Sequence, residues 1–146
     1  VQPPPRGELA HRREWIDACY AADTVEEIVD RLLVHGDPAA KEAAETLLAK
    51  SPTALKVTLA AVRRARRLGP LERVLDQEYR VSCAALRTPD LVEGVRAQVI
   101  DKDRDPHWSP ATLVEVTDAD VERFFAPLGE QELGLAGPGA ATGVAW

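Results

Sequence analysis

Glu93 and Arg96 stand three residues apart, which puts a carboxylate and a guanidinium on one face of a helix. The two can pair with each other, or Arg96 can carry its charge to a partner surface. Gly94 interrupts the same helix at a cost of about 1 kcal/mol relative to Ala, so a close approach is expected there, by another helix or by a ligand. Lys102 follows, flanked by Asp101 and Asp103, where an ammonium complements the negative end of a helix dipole. Glu78-Tyr79-Arg80 falls in mid-helix. Tyr79 is expected to pack with its hydroxyl paired, and Glu78 to accept a buried or interfacial hydrogen bond. Arg63, Arg64, Arg66 and Arg67 form the one dense basic cluster. Arg63 and Arg67 share a face, and the cluster reads as a solvated helix end facing the C-terminal dipole.

Other chemistries lack their residues. His11, His35 and His107 have neither HxxxH spacing nor clustered partners, so no metal site is expected. His35 beside Gly36 reads as a helix C-terminal cation. Cys19 and Cys83 fall on or near apolar faces, form no CxxC pair, and read as inert packing residues of a reducing compartment. There is no GxSxG, no Gly-rich phosphate loop and no catalytic Cys/His motif. A net charge of −6 argues against generic nucleic-acid or membrane-surface binding, and the arginine cluster has no interleaved aromatics. No apolar run is long enough to cross a bilayer, and no signal-peptide core is seen. These features place the chain in the cytoplasm. A preference for Arg over Lys points to a bacterial source.

The scaffold that must position these residues is helical. The 146 residues suit one domain with a modest core, and 45% hydrophobic with 29% charged residues reads as globular. The fold class is all-α, with five to seven helices and no alternating apolar run of strand length. The first helix is expected over about Glu8 to Tyr20. Asp23 caps the second in a capping box with Glu26, and Gly36 ends it. Asp37-Pro38 and Ser51-Pro52 open the third and fourth, because Pro suits the first helical position. Gly69 closes the fourth, and the fifth follows Pro70. Asp90 is expected to cap a sixth helix running through Val99. Residues 101–116 look irregular, and Thr117 caps a last short helix. Trp15, Ile16, Leu55, Leu59, Tyr79 and Val95 are expected to leave apolar surface for a partner. Three segments result: a Pro-rich linker remnant over 1–7, opening at Val1, a helical domain over 8–128, and a flexible Gly/Ala-rich tail over 129–146.

Several blocks, in this order and spacing, resemble one family. They are Trp15-Ile16-Asp17, Asp23 to Ile28, Ser51 to Lys56, Glu78-Tyr79-Arg80, Glu93-Gly94-Val95-Arg96-Ala97, Ile100-Asp101-Lys102-Asp103 and Pro106-His107-Trp108. Over roughly Trp15 to Leu128 the chain is similar to the C-terminal helical part of the 3-hydroxyisobutyryl-CoA hydrolases of the enoyl-CoA hydratase (crotonase) superfamily. The resemblance implies thioester hydrolysis in valine breakdown, with water addition to an enoyl-CoA as the alternative. The family's β/α core, with its oxyanion hole and acidic residues, is not among these residues. No catalytic residue is therefore carried over, and the segment alone is expected to be inactive. The resemblance makes Lys102 a candidate contact to the phosphates of coenzyme A, although the flanking aspartates oppose an anion. It makes Glu78, Arg80, Glu93, Gly94, Arg96 and Trp108 signature residues with structural roles. The implied partners are the crotonase core, an acyl-CoA substrate and further copies of the parent; no cofactor is implied, the coenzyme A thioester being the substrate. A stand-alone helical interaction module is the reading from a different class.

Overall fold

The computed structural model describes residues 7–137, which fall into two compact units meeting at Lys50 and Ser51 where the sequence reads as one domain. Among the described residues there are eight α-helices and no strand.

The first unit holds α1 (Glu8–His11), α2 (Arg13–Tyr20), α3 (Val25–Val34) and α4 (Pro38–Leu48). The single helix expected over Glu8 to Tyr20 is broken at Arg12, whose ψ of 1° leaves the helical region. The expected cap on α3 is displaced by one residue. Thr24 Oγ1 accepts from Glu27 N at 3.1 Å, and Glu27 Oε2 accepts from Asp23 N at 3.0 Å. The shift lets Val25 enter the core as the first helical residue, together with Ile28, Val29 and Leu32. Asp37 Oδ1 accepts from Ala39 N at 2.8 Å and starts α4 with Pro38 behind it. Ala40 and Ala44, both fully buried, give α4 a flat face against α3. Trp15 and Cys19 bury the inner side of α2, and burial pushes the Cys19 thiol above its ordinary pKa, as befits a packing residue.

The second unit holds α5 (Pro52–Leu68), α6 (Leu71–Ala85), α7 (Pro89–Val95) and α8 (Asp118–Arg123), with α5 against both α6 and α8. Its core is Val57 and Ala61 from α5 with Val116, Val121 and Phe125, and Ala60, Val81 and Phe124 pack on its margin. Polar side chains cross-link the segments of this unit. Gln77 on α6 donates to Ala61 O at 3.0 Å, and Lys56 Nζ donates to Val116 O at 3.1 Å. Glu78 is exposed, so the buried polar residue of α6 is Gln77, one position and about 100° away. The arginine cluster is not uniformly solvated either. Arg64 lies 3.9 Å over the Phe125 ring and pairs with Glu122, whereas Arg66 and Arg67 are exposed.

The stretch expected as a tail opens with a 3₁₀ turn, Gly129–Gln131, and then follows α6. Arg80 Nε donates to both Glu132 oxygens at 2.9 Å, and Asp76 accepts from Leu135 N and Ala136 N at 2.9 and 3.0 Å. Residues 1–6 of the expected linker and 138–146 of the expected tail lie outside the described residues.

Of the six residues expected to present apolar surface, Trp15 is buried at 7% exposure, and Ile16, Leu55 and Leu59 are half-buried. Tyr79 and Val95 are exposed, at 36% and 44%.

Candidate functional site

The signature residues gather around Arg96. After Val95 the helix widens into a π-helical turn, Arg96–Ile100, closed by Asp101 N donating to Arg96 O at 2.8 Å. The sixth helix therefore changes character at Arg96 instead of running regularly through Val99. Beyond it the chain doubles back, and residues 101–108 lie along one side of α7.

Arg96 fixes that return. Its Nε and Nη2 donate to Glu93 Oε2 and Oε1 at 2.9 and 2.8 Å, a two-pronged pair. Nη1 reaches Asp101 Oδ2 at 2.7 Å and Asp103 Oδ2 at 2.5 Å, and Nη2 reaches Asp105 O at 3.1 Å. Glu93 Oε1 also accepts from His107 N at 2.8 Å. Hydrogen bonding from Arg96, aided by His107 N, lowers the Glu93 pKa to about 2. The same guanidinium lowers Asp103. These carboxylates act as fixed acceptors. A general base for neutral pH needs a pKa several units higher.

The loop sorts its charges by alternation. Asp101 and Asp103 turn inward to Arg96, while Lys102 and Arg104 are exposed and adopt left-handed φ values of 59° and 58°. Left-handed backbone is unfavourable for residues with a Cβ, so the three donations of Arg96 to Asp101, Asp103 and Asp105 O hold the loop against its local preference. Lys102 makes no ion pair among the described residues, and its flanking carboxylates are engaged elsewhere. Trp108 closes the arrangement. An ideal Cβ on Gly94 would meet Trp108 Cη2 at 3.4 Å and Cζ3 at 3.6 Å, so the close approach expected at Gly94 is made by an indole ring from the irregular segment.

Asp90 belongs to this construction and not to the cap of α7. That cap position is Thr88, whose Oγ1 donates to Ala85 O at 2.8 Å. Asp90 is buried. Its Oδ2 accepts from Ser51 Oγ at 2.5 Å and its Oδ1 from Ser109 N at 2.8 Å. It thereby ties the start of α5, the start of α7 and the end of the loop at one carboxylate. The Ser109–Pro110 peptide is cis. Beside it opens a cleft of about 490 Å³ whose walls include Thr53, Arg80, Arg87, Asp90, Ser109 and Phe124.

Glu93, Gly94, Arg96 and Trp108 thus share one cluster with Asp101 and Asp103. Lys102 stands on its outer side. Arg80 belongs to a separate pair with Glu132, whose carboxyl it holds below the ordinary range. Glu78 is exposed beside Gln77, with 3.4 Å between its Oε1 and Gln77 Nε2. The neighbouring Cys83 thiol raises the pKa of the exposed Tyr79 phenol. The buried roles of Asp90, expected as a helix cap, and of Gln77 were not legible in the sequence. An acidic residue just after Thr-Pro looks like a cap, and only its burial reveals its other role. Among the described residues no group of three or more His, Cys, Asp or Glu could hold a metal ion.

Over its described residues the chain is all-helical and centres its charged groups on a Glu-Arg-Asp-Asp clamp. It belongs to the enoyl-CoA hydratase/isomerase family, whose sequence model matches residues 1–125. It is 42% identical over 127 residues to the mitochondrial 3-hydroxyisobutyryl-CoA hydrolase of Gallus gallus, covering 87% of this chain and 33% of that protein. With the Homo sapiens protein of the same name it shares 42% identity over 125 residues, 86% of this chain and 32% of the relative. Among solved structures it is similar to a carnitinyl-CoA dehydratase from Mycobacterium thermoresistibile, with a TM-score of 0.85, 54% identity, and coverage of 93% of this chain and 38% of that one. An enoyl-CoA hydratase from Rhodobacter sphaeroides 2.4.1 matches with a TM-score of 0.79 and 38% identity, over 90% of this chain and 39% of that one. The chain spans about a third of the length of the curated relatives it matches. Those relatives are mitochondrial proteins of eukaryotes, which overturns the bacterial cytoplasmic placement expected from composition. Two unpaired cysteines say only that no disulfide framework is needed, and an arginine bias carries no compartment.

Proposed function

We propose that this chain is the C-terminal helical portion of an acyl-CoA thioester hydrolase acting on 3-hydroxyisobutyryl-CoA in valine breakdown, and that it has no activity by itself. The observation that carries the reading is 42% identity to the 3-hydroxyisobutyryl-CoA hydrolases over a third of their length. The geometry supports the inactive half of the proposal, since the clamp's carboxylates are locked as ion-pair and backbone acceptors. The oxyanion hole and the acid that activates water would lie in the companion part of the longer protein, a β/α core on which this portion acts as scaffold and cover. In that assembly, itself a homo-oligomer, Lys102 contacts a phosphate of the coenzyme A thioester as a point charge. The aspartates that would repel the anion are already held by Arg96.

A second reading, dehydration or hydration of an acyl-CoA, is favoured by 54% identity to the carnitinyl-CoA dehydratase. One fold serves both reactions. Assaying the full-length protein against 3-hydroxyisobutyryl-CoA, crotonyl-CoA and carnitinyl-CoA side by side separates them. Release of free coenzyme A from the first supports the hydrolase. A change at the double bond without thiol release supports the hydratase. Turnover of any of these by the purified 146-residue chain, above buffer, overturns the inactivity. For Lys102→Ala in the full-length enzyme the expected result is a severalfold rise in KM at low salt with kcat unchanged. Equal KM values would remove Lys102 from the binding surface.

A further inference from the structure

The helix that carries the clamp is turned inside out. Its inner side bears Asp90, Glu93, Gly94 and Ala97, which face the returning loop and the start of α5. Its outer side bears Leu91, Val92, Val95, Val99 and Ile100, exposed at 41%, 68%, 44%, 62% and 68%. Residues 92, 95 and 99 fall on one stripe at helical spacing, opposite 90, 93–94 and 97. A surface helix of a self-sufficient domain shows the reverse order, with aliphatics inward and ion pairs to solvent. Here the charged face is consumed by an internal network, and five adjacent aliphatic side chains are presented outward on a rigid support. Contiguous exposed apolar surface of this kind marks an interaction site.

We infer that the Leu91–Ile100 stripe is the seat of the companion part of the same polypeptide. The occupant is argued from length: the chain supplies about a third of its curated relatives, so about twice its own mass of protein accompanies it in them. The inference rests on the proposal that this chain is a portion of a longer enzyme, and it names the face by which the portion is held. Intramolecular covering also explains the stiffness of the support. A clamp built from five donations of one guanidinium fixes the stripe before the companion arrives, which reduces the ordering cost of docking.

Cysteines placed one at a time by Val92→Cys and Val99→Cys test it, with reaction at those positions read by mass after maleimide labelling and digestion. Both should label at rates near that of a small free thiol in the 146-residue chain, and at least tenfold more slowly in the full-length protein at the same concentration. Equal rates in the two would overturn the inference. So would slow labelling already present in the 146-residue chain, which would assign the stripe to a second copy or to the chain itself. Val92→Asp and Val99→Asp give an independent measure. They should leave the melting temperature of the isolated chain unchanged and lower that of the full-length protein; a full-length protein that melts as before would also refute the docking. Because both readouts are independent of turnover, a protected stripe in a protein inactive on 3-hydroxyisobutyryl-CoA would sink the functional reading alone. An active protein with a fully labelled stripe would sink this one alone.

Discussion

Asp90→Ala removes the carboxylate that joins the start of α5 to the end of the loop, and its cost follows from the contacts. The side chain is 9% exposed and accepts from Ser51 Oγ at 2.5 Å and Ser109 N at 2.8 Å. A hydrogen bond to a charged group contributes about 1.5–3 kcal/mol, and two that share one carboxylate do not add fully, so the expected loss is about 3 kcal/mol. Asp90→Asn keeps an acceptor for Ser109 N and can donate to Ser51 Oγ, and should cost about 1 kcal/mol. Ser51→Ala loses that bond and the cap on Ala54 N, which is 3.1 Å away, for about 2 kcal/mol. The assay is urea unfolding of the 146-residue chain at pH 7, followed by far-ultraviolet circular dichroism, with the slope m checked for constancy. The double variant Ser51→Ala/Asp90→Ala should fall short of the sum of the singles by at least about 1 kcal/mol. A loss below about 0.5 kcal/mol for Asp90→Ala, or an additive cycle, would show that the carboxylate does not hold the two segments together.

Acid should loosen the clamp through Glu93. Its folded pKa of about 2 lies below the ordinary 4.5, so its contribution is complete above pH 4.5 and is lost as pH falls from 4.5 toward 2. Urea unfolding across that window should show stability declining with acid, with a shallower decline in Glu93→Gln; an unchanged slope would mean the pair is not felt in solution. Gly94→Ala should be neutral or slightly stabilising, because a methyl meets the Trp108 ring at contact distances of 3.4 and 3.6 Å and the helix gains about 1 kcal/mol of propensity. Gly94→Leu should displace the ring, seen as loss of tryptophan near-ultraviolet dichroism and easier fluorescence quenching. Arg64→Ala should cost about 1 kcal/mol by losing the Phe125 ring and Glu122, whereas Arg67→Ala, at an exposed position, should stay within about 0.5 kcal/mol in the same unfolding assay.

Local signals located most of the helices because their causes are local. Asp37-Pro38 and Ser51-Pro52 start α4 and α5 where cap and proline chemistry place them. Errors arose where tertiary burial chose between neighbours. Thr24 displaced Asp23 as the cap because Val25 had to be buried, and Gln77 displaced Glu78 because a helix advances about 100° per residue. The pairing of Glu93 with Arg96 was legible from a spacing of three. Its extension to Asp101 and Asp103 was not, since it needs left-handed backbone at Lys102 and Arg104, which propensity disfavours and only the completed network sustains. The link from Ser51 to Asp90 spans 39 residues, and nothing in either neighbourhood announces it.

Periodicity also has a blind spot that α7 exposes. A hydrophobic stripe in a sequence states that one face differs from the other, and the usual inference sends the apolar face inward. That inference assumes the sequence contains everything that will cover the face. In α7 the polar face has a stronger claim on the interior of the chain, because Glu93 and Arg96 find two aspartates, a backbone carbonyl and a backbone N–H within the next fourteen residues. The aliphatic face is left exposed among the described residues. A helix that pairs its charges within the chain and displays its valines is therefore evidence about the size of the folding unit as much as about its own packing. The chain covers about a third of the curated relatives it matches.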